Sequence, residues 1–88
     1  MTDYLGKVPP QSPEAERSVL GAIMLDREAL LATMEVLKPE DFYREAHRLI
    51  YRVILDLNER REAVDLLTVT EELRRQDELE VVGGDAYL

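Results

Sequence analysis

The chain has no cysteine, one histidine and only two lysines in 88 residues. Without cysteine there is no disulfide framework and no thiolate metal site. With His47 as the only imidazole, a catalytic or metal-binding role needs a nucleophile or second ligand nearby. The sequence offers Asp41, Tyr43 and Glu45 as its companions. A single histidine beside an apolar helix face reads as a packed or hydrogen-bonded structural residue. No apolar run approaches the length needed to span a membrane, and the N-terminus lacks the basic, apolar pattern of a secretory signal. A cytoplasmic, membrane-free protein is therefore expected. The phosphate-cradling sequence G-x-x-x-x-G-K-[ST] is also missing, because neither Lys7 nor Lys38 follows glycines in that way.

Positive charge is scarce. Nineteen acids face eleven bases, a formal net charge of −8. Binding to DNA draws on clustered Lys and Arg to replace counterions along the phosphates. The local basic concentrations are Arg60–Arg61 and Arg74–Arg75, and both lie among Glu59, Glu62, Glu71, Glu72 and Asp77. They read as solvated helix ends with intrahelical ion pairs. The acid pairs Glu40–Asp41 and Glu71–Glu72 read as surface and capping residues. Arginine outnumbers lysine nine to two, which fits either heat-adapted ion pairing or a GC-rich genome.

What is present is helical patterning. Residues 1–12 form an extended arm, with Pro9 and Pro10 unable to continue a helix. Ser12 stands at an N-cap position, Pro13 at the first helical position, and Glu14 and Glu16 in the first turn, where the helix dipole favours acids. A first helix over 13–25 turns Ala15, Val19, Leu20, Ala22 and Ile23 to one face, with Gly21 inside it for close helix packing. Asp26 caps a second helix over 27–37, whose apolar positions are Leu30, Leu31, Met34 and Leu37, and Pro39 ends it. A turn at Pro39–Asp41 places Phe42 in the core. The third helix, 44–60, has the clearest stripe (Ala46, Leu49, Ile50, Val53, Ile54, Leu57) and a length of about 25 Å. Thr68 and Glu71 form an S/T-x-x-E capping box ahead of a fourth helix over 69–76, with Val69, Leu73 and Leu79 inward. Gly83–Gly84 break the chain before a further helical turn at Asp85–Leu88. Unequal helices with short, bent connections predict a small all-α orthogonal bundle.

Four blocks occur in order along nearly the whole chain: VPPQSPEAERSVLGAIMLD (Val8–Asp26), LKPEDFYREAHRLIY (Leu37–Tyr51), VDLLTVTEEL (Val64–Leu73) and LEVVGGDAYL (Leu79–Leu88). Together they resemble the N-terminal domain of the DnaB-type replicative DNA helicases of bacteria. The resemblance implies a globular head over 13–88, cut inside its last helix, with a helical hairpin, a linker and a RecA-like ATPase following in the parent protein. It implies no catalysis and no cofactor in this stretch, with ATP and Mg confined to the later domain. It implies a collar role in a hexameric ring, with self-association as a trimer of dimers in the parent and a monomer or weak dimer here. Primase, through its C-terminal domain, is the implied partner, and a helicase loader is a further candidate. Tyr87 and Leu88, at the junction of head and hairpin, are the candidate partner-binding residues. A second reading takes LLTVTEELRR as part of a winged-helix or helix-turn-helix DNA-binding domain, although a recognition helix needs more exposed basic and polar residues than this one has.

Overall fold

The computed structural model describes residues 13–79 and 83. The arm over 1–12, the Ser12 cap, the helical turn at 85–88, and Tyr87 and Leu88 lie outside the described residues. Four α-helices follow one another in this span: α1 (Pro13–Leu25), α2 (Arg27–Met34), α3 (Glu45–Glu59) and α4 (Leu66–Arg75), with a short 3-10 turn at Pro39–Asp41. No strand occurs among the described residues, so the small all-α bundle stands as expected.

A single extended residue, Asp26, separates α1 from α2. Its side chain accepts the Glu28 amide at 2.9 Å and so caps the second helix. α1 packs on α2 and α3, and α3 packs on α4 and the 3-10 turn. Among the described residues α3 supplies six of the twelve buried hydrophobic ones: Leu49, Ile50, Tyr51, Val53, Ile54 and Leu57. Leu20 and Ile23 come from α1, Leu30 from α2, and Val69 and Leu73 from α4; Leu79 is half-buried against them. Phe42 plugs the core, with its ring centroid 5.0 Å from that of Tyr51, whose hydroxyl donates to the Leu37 carbonyl at 2.9 Å.

α2 is shorter than the pattern predicts. It ends at Met34, and the amides of Val36 and Leu37 turn back to the Thr33 carbonyl. Of its four apolar positions Leu30 alone is fully buried; Leu31 and Met34 are exposed and Leu37 is half-buried. Two turns of helix give a narrow stripe, too narrow to hide i and i+1 together.

α4 begins three residues earlier than the Thr68–Glu71 box implies. Asp65 is the cap: its carboxylate accepts the Thr68 amide at 2.9 Å, and its own amide donates to the Thr68 hydroxyl at 3.0 Å. Thr68 therefore closes the box from its third helical position, and Glu71 pairs with Arg74 instead. Both D-x-x-T and T-x-x-E fit a reciprocal cap. The charged Asp65 takes the role, since an anion is favoured at a helix N-terminus.

Gly21 also departs from expectation. A Cβ built there meets nothing within 4 Å, so no close helix approach depends on this glycine.

α3 and α4 end alike. Arg61 (φ 62°) and Asp77 (φ 66°) occupy the left-handed region. The Glu62 amide reaches the Leu57 carbonyl and the Glu78 amide reaches the Leu73 carbonyl, at 2.9 and 2.8 Å. These are Schellman closures built on non-glycine residues. Gly83 also has a positive φ, 104°; the rest of the expected break at Gly83–Gly84 lies outside the described residues.

Candidate functional site

Two carboxylates inside the bundle come nearest to a chemical site. Glu16 lies on α1 one and two turns before Leu20 and Ile23, on the same buried stripe, and is 7% exposed. One of its oxygens accepts the Tyr43 amide at 2.6 Å; the other lies 2.6 Å from His47 Nδ1 and 3.5 Å from the Arg44 amide. Arg48 grips the same turn from the other side, donating to the carbonyls of Phe42 and Tyr43 at 2.9 and 2.8 Å. Burial pushes the Glu16 carboxyl up, but the hydrogen bonds from His47, Tyr43 and Arg44 outweigh it and hold the group below its ordinary value of 4.5.

A carboxylate orienting an imidazole is half of a catalytic triad. Here the imidazole has no exposed surface, so it cannot meet a substrate. The pair joins α1 to the start of α3. Of the companions that sequence proximity offers, neither Asp41 nor Glu45 is its carboxylate partner, and Tyr43 joins the site through its amide on Glu16: the imidazole is bound by an acid 31 residues upstream. Glu16 is thus more than a first-turn dipole residue.

The second carboxylate is Glu72, 6% exposed on α4. Arg75 binds it through two nitrogens, at 3.2 and 2.5 Å, Gln76 donates at 2.6 Å, and Arg60 reaches it from the end of α3 at 3.1 Å. The Arg75 hydrogen bonds outweigh burial, and with Gln76 and Arg60 they lower its pKa to about 2. Glu72 is not the solvated acid that the sequence suggests. It is a bridge between two helices, and Arg60 makes an interhelical pair as well as its i,i+4 contact with Asp56.

Three of the four doublet arginines are therefore engaged within the fold. Arg74 pairs with Glu71, while Arg75 and Arg60 pair with Glu72. The exposed face of α4 carries Leu66, Leu67, Glu71, Arg74 and Arg75, a poor face for reading base edges. Among the described residues no group of three or more His, Asp or Glu side chains converges as a metal site. No helix there is long and apolar enough to cross a membrane.

Glu16 and Glu72 each left a trace in the sequence. Each falls on the helical stripe of its buried neighbours, at i−4 to Leu20 and i+3 to Val69. An acid on a core stripe is the signal for a buried, partnered carboxylate.

Comparison with known proteins places this helical arrangement. The family described as DnaB-like helicase N terminal domain matches residues 8–88. The replicative DNA helicase DnaC of Bacillus subtilis is 55% identical over 89 residues, covering 100% of this chain and 20% of that protein. The replicative DNA helicase DnaB of Geobacillus stearothermophilus is 52% identical over 82 residues, covering 93% of this chain and 18% of that protein. The crystal structure of the N-terminal domain of DnaB helicase from Mycobacterium tuberculosis superposes with a TM-score of 0.84 at 46% identity, over 91% of this chain and 56% of that one. The chain spans about a fifth of the length of these two curated relatives. With its fold, its ordered sequence blocks and the match over residues 8–88 in agreement, the chain belongs to the DnaB-like helicase N-terminal domain family.

Proposed function

We propose that this chain acts as a collar domain of a hexameric replicative DNA helicase in the bacterial cytoplasm, supporting subunit association and receiving the C-terminal domain of primase during replication. A helicase loader is a further partner of the same kind. ATP and Mg act in the RecA-like domain of the parent protein, and the head itself works through its surface. Tyr87 and Leu88 are the residues proposed to meet the partner or brace the segment that does.

The observation that carries this reading is the family match across residues 8–88. Charge supports it: the chain is at −8, and three of its four doublet arginines are tied to acids of the same fold. A surface of this kind suits protein partners better than phosphates.

The competing helix-turn-helix reading is separated by fluorescence anisotropy with labelled single-stranded and duplex DNA. The expected result is no appreciable binding at physiological salt. Submicromolar binding with a steep salt dependence would favour the DNA-binding reading instead.

A further inference from the structure

α2 is the least secured of the four described helices. It has eight residues, and a helix of two turns does not hold its shape alone in water. Leu30 is its one buried residue, against three on α1, four on α4 and seven on α3. Leu31 and Met34 are 43% and 39% exposed, so little apolar burial resists the departure of this helix. The seat of Leu30 is itself undercut. Leu30 and Ile23 line a hollow of about 200 Å³ together with Met24, Leu25, Ala63 and Val64.

Polar side chains at the surface tie α2 to α3. Arg27 donates to Asn58 Oδ1 at 2.8 Å, and Asn58 Nδ2 reaches Met34 Sδ at 3.5 Å. Thr33 donates its hydroxyl to the Ala29 carbonyl at 2.8 Å, within α2 itself. An extended residue stands at each end of the segment: Asp26 (φ −141°, ψ 113°) before α2, and Lys38 (φ −113°, ψ 161°) after Leu37. The far end is anchored, because the Tyr51 hydroxyl donates to the Leu37 carbonyl at 2.9 Å from a buried ring.

We propose that α2 is a strap. It opens as a unit between Asp26 and Leu37 while α1, α3 and α4 stay packed, and so bares the apolar wall at Ile23. Opening breaks the Arg27–Asn58–Met34 chain and unseats Leu30. It leaves the Glu16–His47 pair and the Glu72 cluster intact, since both join other elements. Proteins open locally in such units, at a lower free energy than global unfolding, where buried apolar contacts are few. The inference stands apart from the collar reading, since it rests on the packing of this helix alone.

The test is amide hydrogen exchange of the isotope-labelled 88-residue chain, followed residue by residue in increasing urea below the unfolding transition. Relative to their intrinsic rates, the amides of Leu30 to Met34 should exchange about tenfold or more faster than those of Ile50 to Ile54. The α2 rates should hardly change with urea, because a local opening exposes little surface, whereas the α3 rates should climb steeply. Glu72→Gln supplies the second reading. It weakens the joint between α3 and α4, which the opened form keeps, so it should speed the α3 amides and leave the α2 amides at their native rate. Equal protection and equal urea dependence in α2 and α3 would overturn the proposal, as would an equal acceleration of both helices in Glu72→Gln. Exchange of the Leu20 and Ile23 amides in step with α2 would mean that α1 leaves with it, and would overturn the proposal too.

Discussion

Glu16 and Gly21 sit five residues apart on α1, and the structure gives each a role that local pattern does not show. The amphipathic stripe that correctly buries Leu20 and Ile23 also carries Glu16 inward. Its place in the first turn of α1 suggests a dipole acid alone. Its partners, Tyr43, Arg44 and His47, lie 27 to 31 residues away, and local pattern does not show which distant donors a buried acid will find. A glycine inside a helix suggests close packing, but the space around Gly21 is open. Gly21→Ala should therefore stabilise the domain by about 1 kcal/mol, the difference between the two residues in a helix interior. Urea unfolding monitored by circular dichroism checks this; a loss of stability would mean that α1 packs more tightly there than the structure shows. Glu72 gives a pH dependence. Its folded pKa, about 2, lies below its ordinary 4.5, so the unfolded chain takes up the proton first as pH falls. The stabilisation is complete above about pH 5 and is lost on the way down to about pH 2. The gap in stability between the native chain and Glu72→Gln should shrink across that window and stay constant from about pH 6 to 8. A gap that does not change with pH would show that Glu72 acts through shape and not charge.

At the scale of helices, the long strongly patterned elements were the legible ones. α1 and α3 fall within a residue of their expected spans, because each buries a stripe of three or more turns. α2 and α4 were placed with errors of three residues at one end. Both errors concern local hydrogen bonds: the Thr33 carbonyl closing α2 early and Asp65 outcompeting Thr68 as the cap of α4. The ends of α3 and α4 carry no glycine to announce them. Arg61 and Asp77 hold left-handed conformations that glycine adopts without a Cβ clash. Asp77→Gly should thus raise stability by about 0.5–1 kcal/mol, which in a domain of this size is a rise of roughly 2–8 °C in Tm. A calorimetric scan decides. A lower Tm would mean that the Asp77 carboxylate makes a contribution that outweighs the backbone strain.

At the scale of the whole molecule, fold class came from composition and periodicity, while function came from the order of sequence blocks. The chain is acidic, with no cysteine, one histidine and no P-loop, and it carries helical patterning. That much excludes functions without choosing one. The choice rests on the match to the DnaB-like helicase N-terminal domains over residues 8–88. Neither buried carboxylate enters that choice: the Glu16–His47 and Glu72–Arg60–Arg75 groups hold helices together, leaving the exterior for partners. We propose that this exterior serves proteins of the replication machinery. Isothermal titration calorimetry of the primase C-terminal domain into the 88-residue chain tests this, set beside a longer N-terminal piece of a DnaB-type helicase. Saturable binding to both is expected, weaker by several kcal/mol for the 88-residue chain where the longer piece adds central anchors, which dominate the energy of an interface. No heat of binding from either form would contradict the docking role.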